Sequence, residues 1–211
     1  MATDPRLRIE RQAATDAACA LLAQAMRDNP THIAVFGPDA PRRQRRLHAF
    51  FSAMLPWLAR NGRLFGALVQ GRLEGVFGML PPAHCQPRGV ELWRLGLALL
   101  RGQPLATQQR MMRWLLAWRR NDSPEAHWHL GPLAVRPASQ GQGVGSALLR
   151  HGLAIADATP ALCHLETDLP RNVRLYQSLG FAVVSQQTVL GVPNWFMQRP
   201  PTPQESIPSA R

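Results

Sequence analysis

Gln140-Gly141-Gln142-Gly143-Val144-Gly145-Ser146 is the stretch from which this 211-residue chain is read. An apolar run, Leu130 to Val135, precedes it. An amphipathic segment follows, with Leu148, Leu149, Leu153 and Ala156 at the spacing of one helix face. Strand, glycine-rich loop and helix together offer unpaired main-chain N–H groups and a positive helix end to an anion. Gly141, Gly143 and Gly145 carry no Cβ, so phosphate oxygens can come close to the main chain. The stretch reads as a diphosphate cradle.

Three loops share this grammar. The triphosphatase phosphate loop needs a lysine after its glycines, and the chain has no lysine. A dinucleotide fingerprint, G-x-G-x-x-G, would put its third glycine at Ser146, although Glu166 stands at a suitable distance to imitate the ribose-binding acid. An acetyl-CoA loop, [RQ]-x-x-G-x-[GA], is met by Gln140, Gly143 and Gly145. A short glycine loop also closes helix ends for purely structural reasons.

A second constellation separates these readings. Downstream the chain runs Leu165-Glu166-Thr167-Asp168-Leu169-Pro170-Arg171-Asn172-Val173-Arg174-Leu175-Tyr176-Gln177-Ser178-Leu179-Gly180-Phe181. The pattern predicts a short helix from about Asn172 to Leu179, stopped by Gly180. Loop and helix together resemble the GNAT acetyltransferase superfamily, whose last motif is asparagine, a helix carrying tyrosine, then Gly-Phe. The wording Leu-Glu-Thr, Asn-Val and Leu-Tyr, with Trp195-Phe196-Met197 beyond, is most similar to the branch containing puromycin N-acetyltransferase. The resemblance spans about Ala126 to Arg199.

It implies an α/β GNAT fold: a central mixed, mostly antiparallel, twisted sheet of about seven strands, splayed between the fourth and fifth, with helices on both faces. A single N-acetyltransferase domain is expected over residues 1–199, with its CoA-binding core at about 126–199 and a proline-rich disordered tail at 200–211. Arg6 to Gln12 is a candidate first strand. A helix capped by Thr15 or Asp16 follows to about Arg27, ended by Asp28-Asn29-Pro30. Ile33, Val35 and Phe36 lie in an apolar, loop-bounded segment. A second helix starts at Pro41, and Pro56 is expected to kink or end it. Its run Arg42, Arg43, Arg45, Arg46 reads as a solvated face. Phe50, Phe51 and Trp57 read as core, or in part as a wall for an apolar substrate. Gln70-Gly71-Arg72 marks a hairpin between Leu64–Val69 and Leu73–Met79. Residues 91–120, rich in Leu, Trp and Met, form an extra helical insertion before strand four, broken at Gly102-Gln103-Pro104. Pro132 inside strand four signals a bulge or a splay. Strand five is expected from Leu162 to Thr167, followed by a closing pair, Val183 to Leu190 and Asn194 to Gln198.

Formal net charge is +11, and all 24 basic side chains other than histidine are arginine. That bias reads chiefly as composition, with some attraction for an anionic ligand. No nucleic acid partner is expected, since no recognised nucleic-acid motif is present. Cys19, Cys85 and Cys163 lack metal-ligand spacing, so no metal is expected and the thiols read as reduced. No membrane partner is expected from the hydropathy pattern, and no leader opens the sequence, so a cytoplasmic location is the expectation. A small-molecule amine acceptor and a possible homodimer complete the expected partners.

The resemblance implies acetyl-CoA as acetyl donor and an amine as acceptor, joined in a ternary complex. Such a transfer needs a neutral amine, donors for the oxyanion, and an acid for the departing thiolate. Tyr176, the only tyrosine, falls on the family's general-acid position; a tyrosine merely packed beneath its helix is the plain alternative. The main-chain N–H groups of Leu133, Ala134 and Val135 are candidate oxyanion donors and pantetheine contacts. Glu166 is the candidate base or ammonium holder, or else a strand-end carboxylate paired with an arginine. His129 is preferred to His127 as a base acting through water. Asn172 is carried over as a CoA contact, with helix capping as its alternative. Gln140, Gly141, Gln142, Gly143, Val144, Gly145 and Ser146 would hold the diphosphate, with glutamine where arginine is commoner. The competing function is a GNAT-fold protein that binds acyl-CoA as a sensor or interaction module without turnover.

Overall fold

The computed structural model describes residues 7–82 and 84–201. Seven strands make one sheet: β1 (Leu7–Arg11), β2 (Arg63–Val69), β3 (Arg72–Leu80), β4 (His127–Val135), β5 (Leu162–Thr167), β6 (Ala182–Val189) and β7 (Val192–Arg199). Their spatial order is β1-β2-β3-β4-β5-β7-β6. Every neighbouring pair is antiparallel except β4 and β5. A parallel pair needs a crossover, and the helix α6 (Val144–Ala156) supplies it.

The two faces of the sheet carry separate apolar cores. On one, Leu64, Val76, Leu80 and Ala134 pack with α1 (Asp16–Ala25), α2 (Pro30–Phe36), α3 (Ala40–Asn61) and α5 (Leu105–Arg120). On the other, Phe65, Phe77, Met79, Trp128 and Leu165 pack with α6 and with α7 (Pro170–Gln177). Alternation along each strand is what divides the side chains between the layers. Gly152 lets α6 lie close: a Cβ there would stand 2.3 Å from Cε1 of Phe77. Among the described residues no helix is long and apolar enough to cross a membrane.

The expected sheet, its splay and its helical insertion are all present. The insertion is α4 (Gly89–Leu100) followed by α5. The bulge also lies where Pro132 put it. Phe77 pairs with Leu133 while Met79 pairs with Leu130, so β4 carries one extra residue around Gly131-Pro132.

Several local expectations are corrected. The loop-bounded segment after Asn29 is the helix α2, with Pro30 at its first turn, where the missing N–H costs nothing. The cap comes from far away: the Asp168 carboxylate accepts the Thr31 N–H at 2.7 Å. Pro56 does not end α3, which continues to Asn61. A helix-interior proline costs about 3 kcal/mol. Leu55, Trp57 and Leu58 are buried around it, at roughly 1.5–3 kcal/mol for a fully buried side chain, so packing wins. Arg43 is 3% exposed rather than solvated. Its guanidinium donates to the carbonyls of Arg27 (2.6 Å), Gly37 (2.8 Å) and Pro38 (2.8 Å) and to Asp28 (2.7 Å), pinning the α1–α3 connection. Phe50, Phe51 and Trp57 are core. The helix carrying Tyr176 starts at Pro170, two residues before Asn172. Residues 202–211 of the tail expected at 200–211 lie outside the described residues, as does Arg6.

Candidate active site

The glycine loop is built to offer donors. Gly141 and Gly143 have φ of +78° and +84°, conformations that side-chain-bearing residues adopt at a cost, and open space lies where their Cβ atoms would be. Gly143 caps α6 without a side-chain hydrogen bond. Among the described residues, no turn or loop acceptor takes the N–H groups of Gly141 to Ser146; the first main-chain bond into the loop is Ala147 N–H to Gly143 O at 2.9 Å. Unmatched donors at a positive helix end are what a diphosphate requires. The exposed side chains of Gln140 and Gln142 fold back on the local main chain instead, donating to the carbonyls of Val135 and Ala138, each at 3.0 Å. Replacing Gly143 by alanine should cost about 1–2 kcal/mol through its left-handed backbone. Denaturant unfolding measures that loss, and it should come with weaker binding of a diphosphate ligand to the distorted loop.

β4 and β5 pair only from His127↔Leu162 to His129↔His164. Beyond that point β4 stays with β3 and β5 with β7, leaving a cleft in the sheet. Arg136 N–H donates to Glu74 O across the β3 side at 2.8 Å. Main-chain direction alternates along a strand, so Ala134 also faces β3, whereas Leu133 and Val135 turn their peptide groups to the cleft. Of the three expected main-chain contacts, two are therefore aimed at the opening.

Glu166 and His129 stand where the strands part. Glu166 Oε2 lies 3.5 Å from His129 Nε2, and their side chains are 6% and 21% exposed. Burial pushes the Glu166 carboxyl above the usual carboxylate range, and His129 only partly opposes this. The arginine partner considered for Glu166 is absent among the described residues; its ion-pair partner is His129. Such a pair can accept a proton and share it.

Behind it lies a layer the sequence did not reveal. His164, fully buried, sits across from His129 with ring centroids 6.0 Å apart. Burial drives its pKa down to about 3, and neither ring nitrogen has a hydrogen-bond partner. His127 Nε2 lies 3.0 Å from Asp122 Oδ1. Burial would lower His127, but the Asp122 carboxylate, with Cys85 and the Glu125 carbonyl, raises it to about 10. Burial would raise Asp122, but His127 and Gln86 hold it at about 2. Alternation along β4 put His127 and His129 on one face; only the β4–β5 register adds His164, and only the loop before β4 adds Asp122.

Tyr176 is 6% exposed, its ring 6.0 Å from that of Phe181. Its hydroxyl has no hydrogen bond to any described side chain or main-chain group. Burial, then the negative charges of Glu166 and Asp168, push the phenol well above its ordinary value, so it stays protonated. Asn172 donates to Thr167 Oγ1 at 3.3 Å, which also accepts the Leu169 N–H at 3.2 Å. It thus ties α7 to the end of β5. Gly180 (φ +88°) lets the Phe181 N–H return to Tyr176 O at 3.1 Å, closing the helix.

The acetyltransferase (GNAT) family matches residues 23–181. The chain belongs to the GNAT acetyltransferase family. Members of this family use acetyl-CoA as acetyl donor. Solved structures agree on the fold. A Corynebacterium glutamicum protein described as histone acetyltransferase HPA2 and related acetyltransferase superposes with a TM-score of 0.70 at 23% identity, covering 95% of this chain and 99% of its own. An agmatine N-acetyltransferase mutant in its apo form gives 0.59 at 14% identity, covering 92% and 98%. The Escherichia coli ribosomal-protein-S18-alanine N-acetyltransferase gives 0.52 at 15% identity, covering 95% and 97%.

Proposed function

We propose that this GNAT enzyme moves the acetyl group of acetyl-CoA to the primary amine of a small molecule by direct attack in a ternary complex. The observation that carries the reading is the buried Glu166–His129 pair at the mouth of the β4–β5 opening, downstream of a donor-rich glycine loop. In this account Glu166, held beside His129, takes the ammonium proton, directly or through water. The amine nitrogen then attacks the thioester carbon. The main-chain N–H groups of Leu133 and Val135 face the opening where the oxyanion forms. As the tetrahedral intermediate collapses, the C–S bond breaks and the electron pair leaves with sulfur. Tyr176 donates its hydroxyl proton to that sulfur. The burial that raises the phenol also makes a departing thiolate more basic, which keeps the two matched. A retained, protonated Tyr176 favours turnover over a sensor role.

Two features support a small acceptor. α5 packs on α2 and β6, with Trp118 Nε1 bonded to Asn194 Oδ1 at 3.0 Å, so the side facing the insertion is covered. His32, Phe36, Phe50, Trp114 and Trp118 form an aromatic cluster of edge-on and tilted rings where α2, α3 and α5 meet. The Leu165-Glu166-Thr167 and Leu175-Tyr176 wording resembles the puromycin N-acetyltransferase-like branch, which fits a small amine acceptor. The three structural relatives are named for different acceptors, so the acceptor is left to experiment.

A panel of small primary amines, tested beside a lysine peptide and scored by free CoA thiol, checks the proposal. Small amines should give CoA release with intersecting initial-velocity lines. Release with the peptide alone would overturn the acceptor class, and parallel lines would overturn direct transfer.

A further inference from the structure

We propose that Asp122, His127 and His129 form a binding site for a divalent transition-metal ion of the zinc class, with His164 as a fourth donor within reach. One ligand atom from each of the three lies within 4.8 Å of the others. His164 Nε2 approaches the same Asp122 oxygen at 3.9 Å. Tetrahedral zinc with bonds of about 2.0–2.2 Å holds its ligands roughly 3.3 Å apart, between the observed His127–Asp122 and His164–Asp122 spacings. Three imidazoles and one carboxylate suit zinc, cobalt or nickel; calcium and magnesium prefer all-oxygen sites.

Three further observations fit a cation ligated here. First, His164 is fully buried with both ring nitrogens unpartnered, an unusual state for a polar side chain. Second, His127 Nδ1 faces the Glu125 carbonyl oxygen at 2.7 Å and must be the donor there, which turns Nε2 inward. That Nε2 is 3.0 Å from Asp122 Oδ1 yet off the line of a hydrogen bond, as for two ligands aimed at a point between them. A ligand histidine normally has its other nitrogen held by a carbonyl in this way. Third, Asp122 is itself braced: Gln86 donates to Oδ2, and the Ser123 N–H donates to Oδ1 at 3.0 Å.

The proposal departs from the expectation of no metal, which rested on cysteine spacing. Histidines two apart on one strand become a site only when β5 and the loop before β4 close on them. A metal ion competes with protons for imidazole and carboxylate ligands, so affinity should rise with pH.

The test uses the full chain, stripped with a chelator and titrated with cobalt(II). The expected result is one cobalt per chain, with the strong visible bands of a four-coordinate ion that zinc displaces. Asp122→Asn should weaken binding by about tenfold or more. His129→Gln, at a partly exposed position that spares the core, should do the same. Acetyl-CoA-induced stabilisation, measured on the same samples, reports separately on the proposed function, so the two readings can fail independently. Substoichiometric cobalt on folded protein would overturn the site, as would unchanged affinity in both variants.

Discussion

Replacing Tyr176 by phenylalanine will lower kcat by about a hundredfold or more while leaving the fold and the KM for acetyl-CoA nearly unchanged. The ring is packed against Phe181 in the α6–α7 core, and phenylalanine keeps that packing. The hydroxyl makes no hydrogen bond with a described residue, so removing it leaves no partner stranded, and stability should change little. A purely structural tyrosine would therefore be silent in both measurements. The catalytic one is silent only in the melt. Steady-state kinetics with the best amine of the panel, beside a thermal melt, distinguish them. A kcat within about threefold of wild type would remove Tyr176 from the chemistry, because one general acid contributes roughly 10²–10⁴.

Glu166→Gln should separate activity from stability in opposite directions. Without a carboxylate to share the amine proton, kcat/KM should fall by about 10²–10³ at neutral pH. Wild-type kcat/KM should climb with pH through the raised pKa of Glu166, and the variant should lack that limb. The folded-state pKa of Glu166 lies above its ordinary value of 4.5. The stability it contributes is therefore complete below that value and is lost as pH rises through the raised one. Glutamine does not ionise, so the variant should melt higher than wild type above this window, with a gap that grows and then levels. Melts at several pH values, run beside the rate profile, check both halves. A variant that is less stable at high pH would mean Glu166 is not held against its burial.

Much of this was legible locally. The glycine loop, the Gly180-Phe181 helix stop, the Gln70-Gly71 hairpin and the bulge at Pro132 are decided by residues within a few positions of one another. Backbone conformation is a local property, and glycine and proline report it directly. What stayed hidden depends on partners distant in sequence. Thr31 is capped by Asp168, 137 positions away, so nothing near Pro30 announced α2. Arg43 looked like its exposed neighbours Arg42 and Arg45 until the carbonyls of Arg27, Gly37 and Pro38 converged on it. His164 was an unremarked position in the expected fifth strand until the register set it against His129. The candidate site divides in the same way. Its donor loop and Tyr176 were readable from motif and resemblance, while the layer beneath Glu166 is a product of pairing. Pro56 marks another limit: a rule about one residue gave way to the burial of three neighbours.

The central claim is that the Gln140–Ser146 loop and the β4–β5 opening hold acetyl-CoA. Melting curves with acetyl-CoA, with NAD and with neither test it without knowledge of the acceptor. At a hundredfold excess over its dissociation constant, a ligand of the native state adds about 2.7 kcal/mol. For a chain of this size that raises the midpoint by roughly 5–10 °C. A rise of that order with acetyl-CoA and none with NAD is the predicted result; no rise with acetyl-CoA, or a rise with NAD alone, would contradict it.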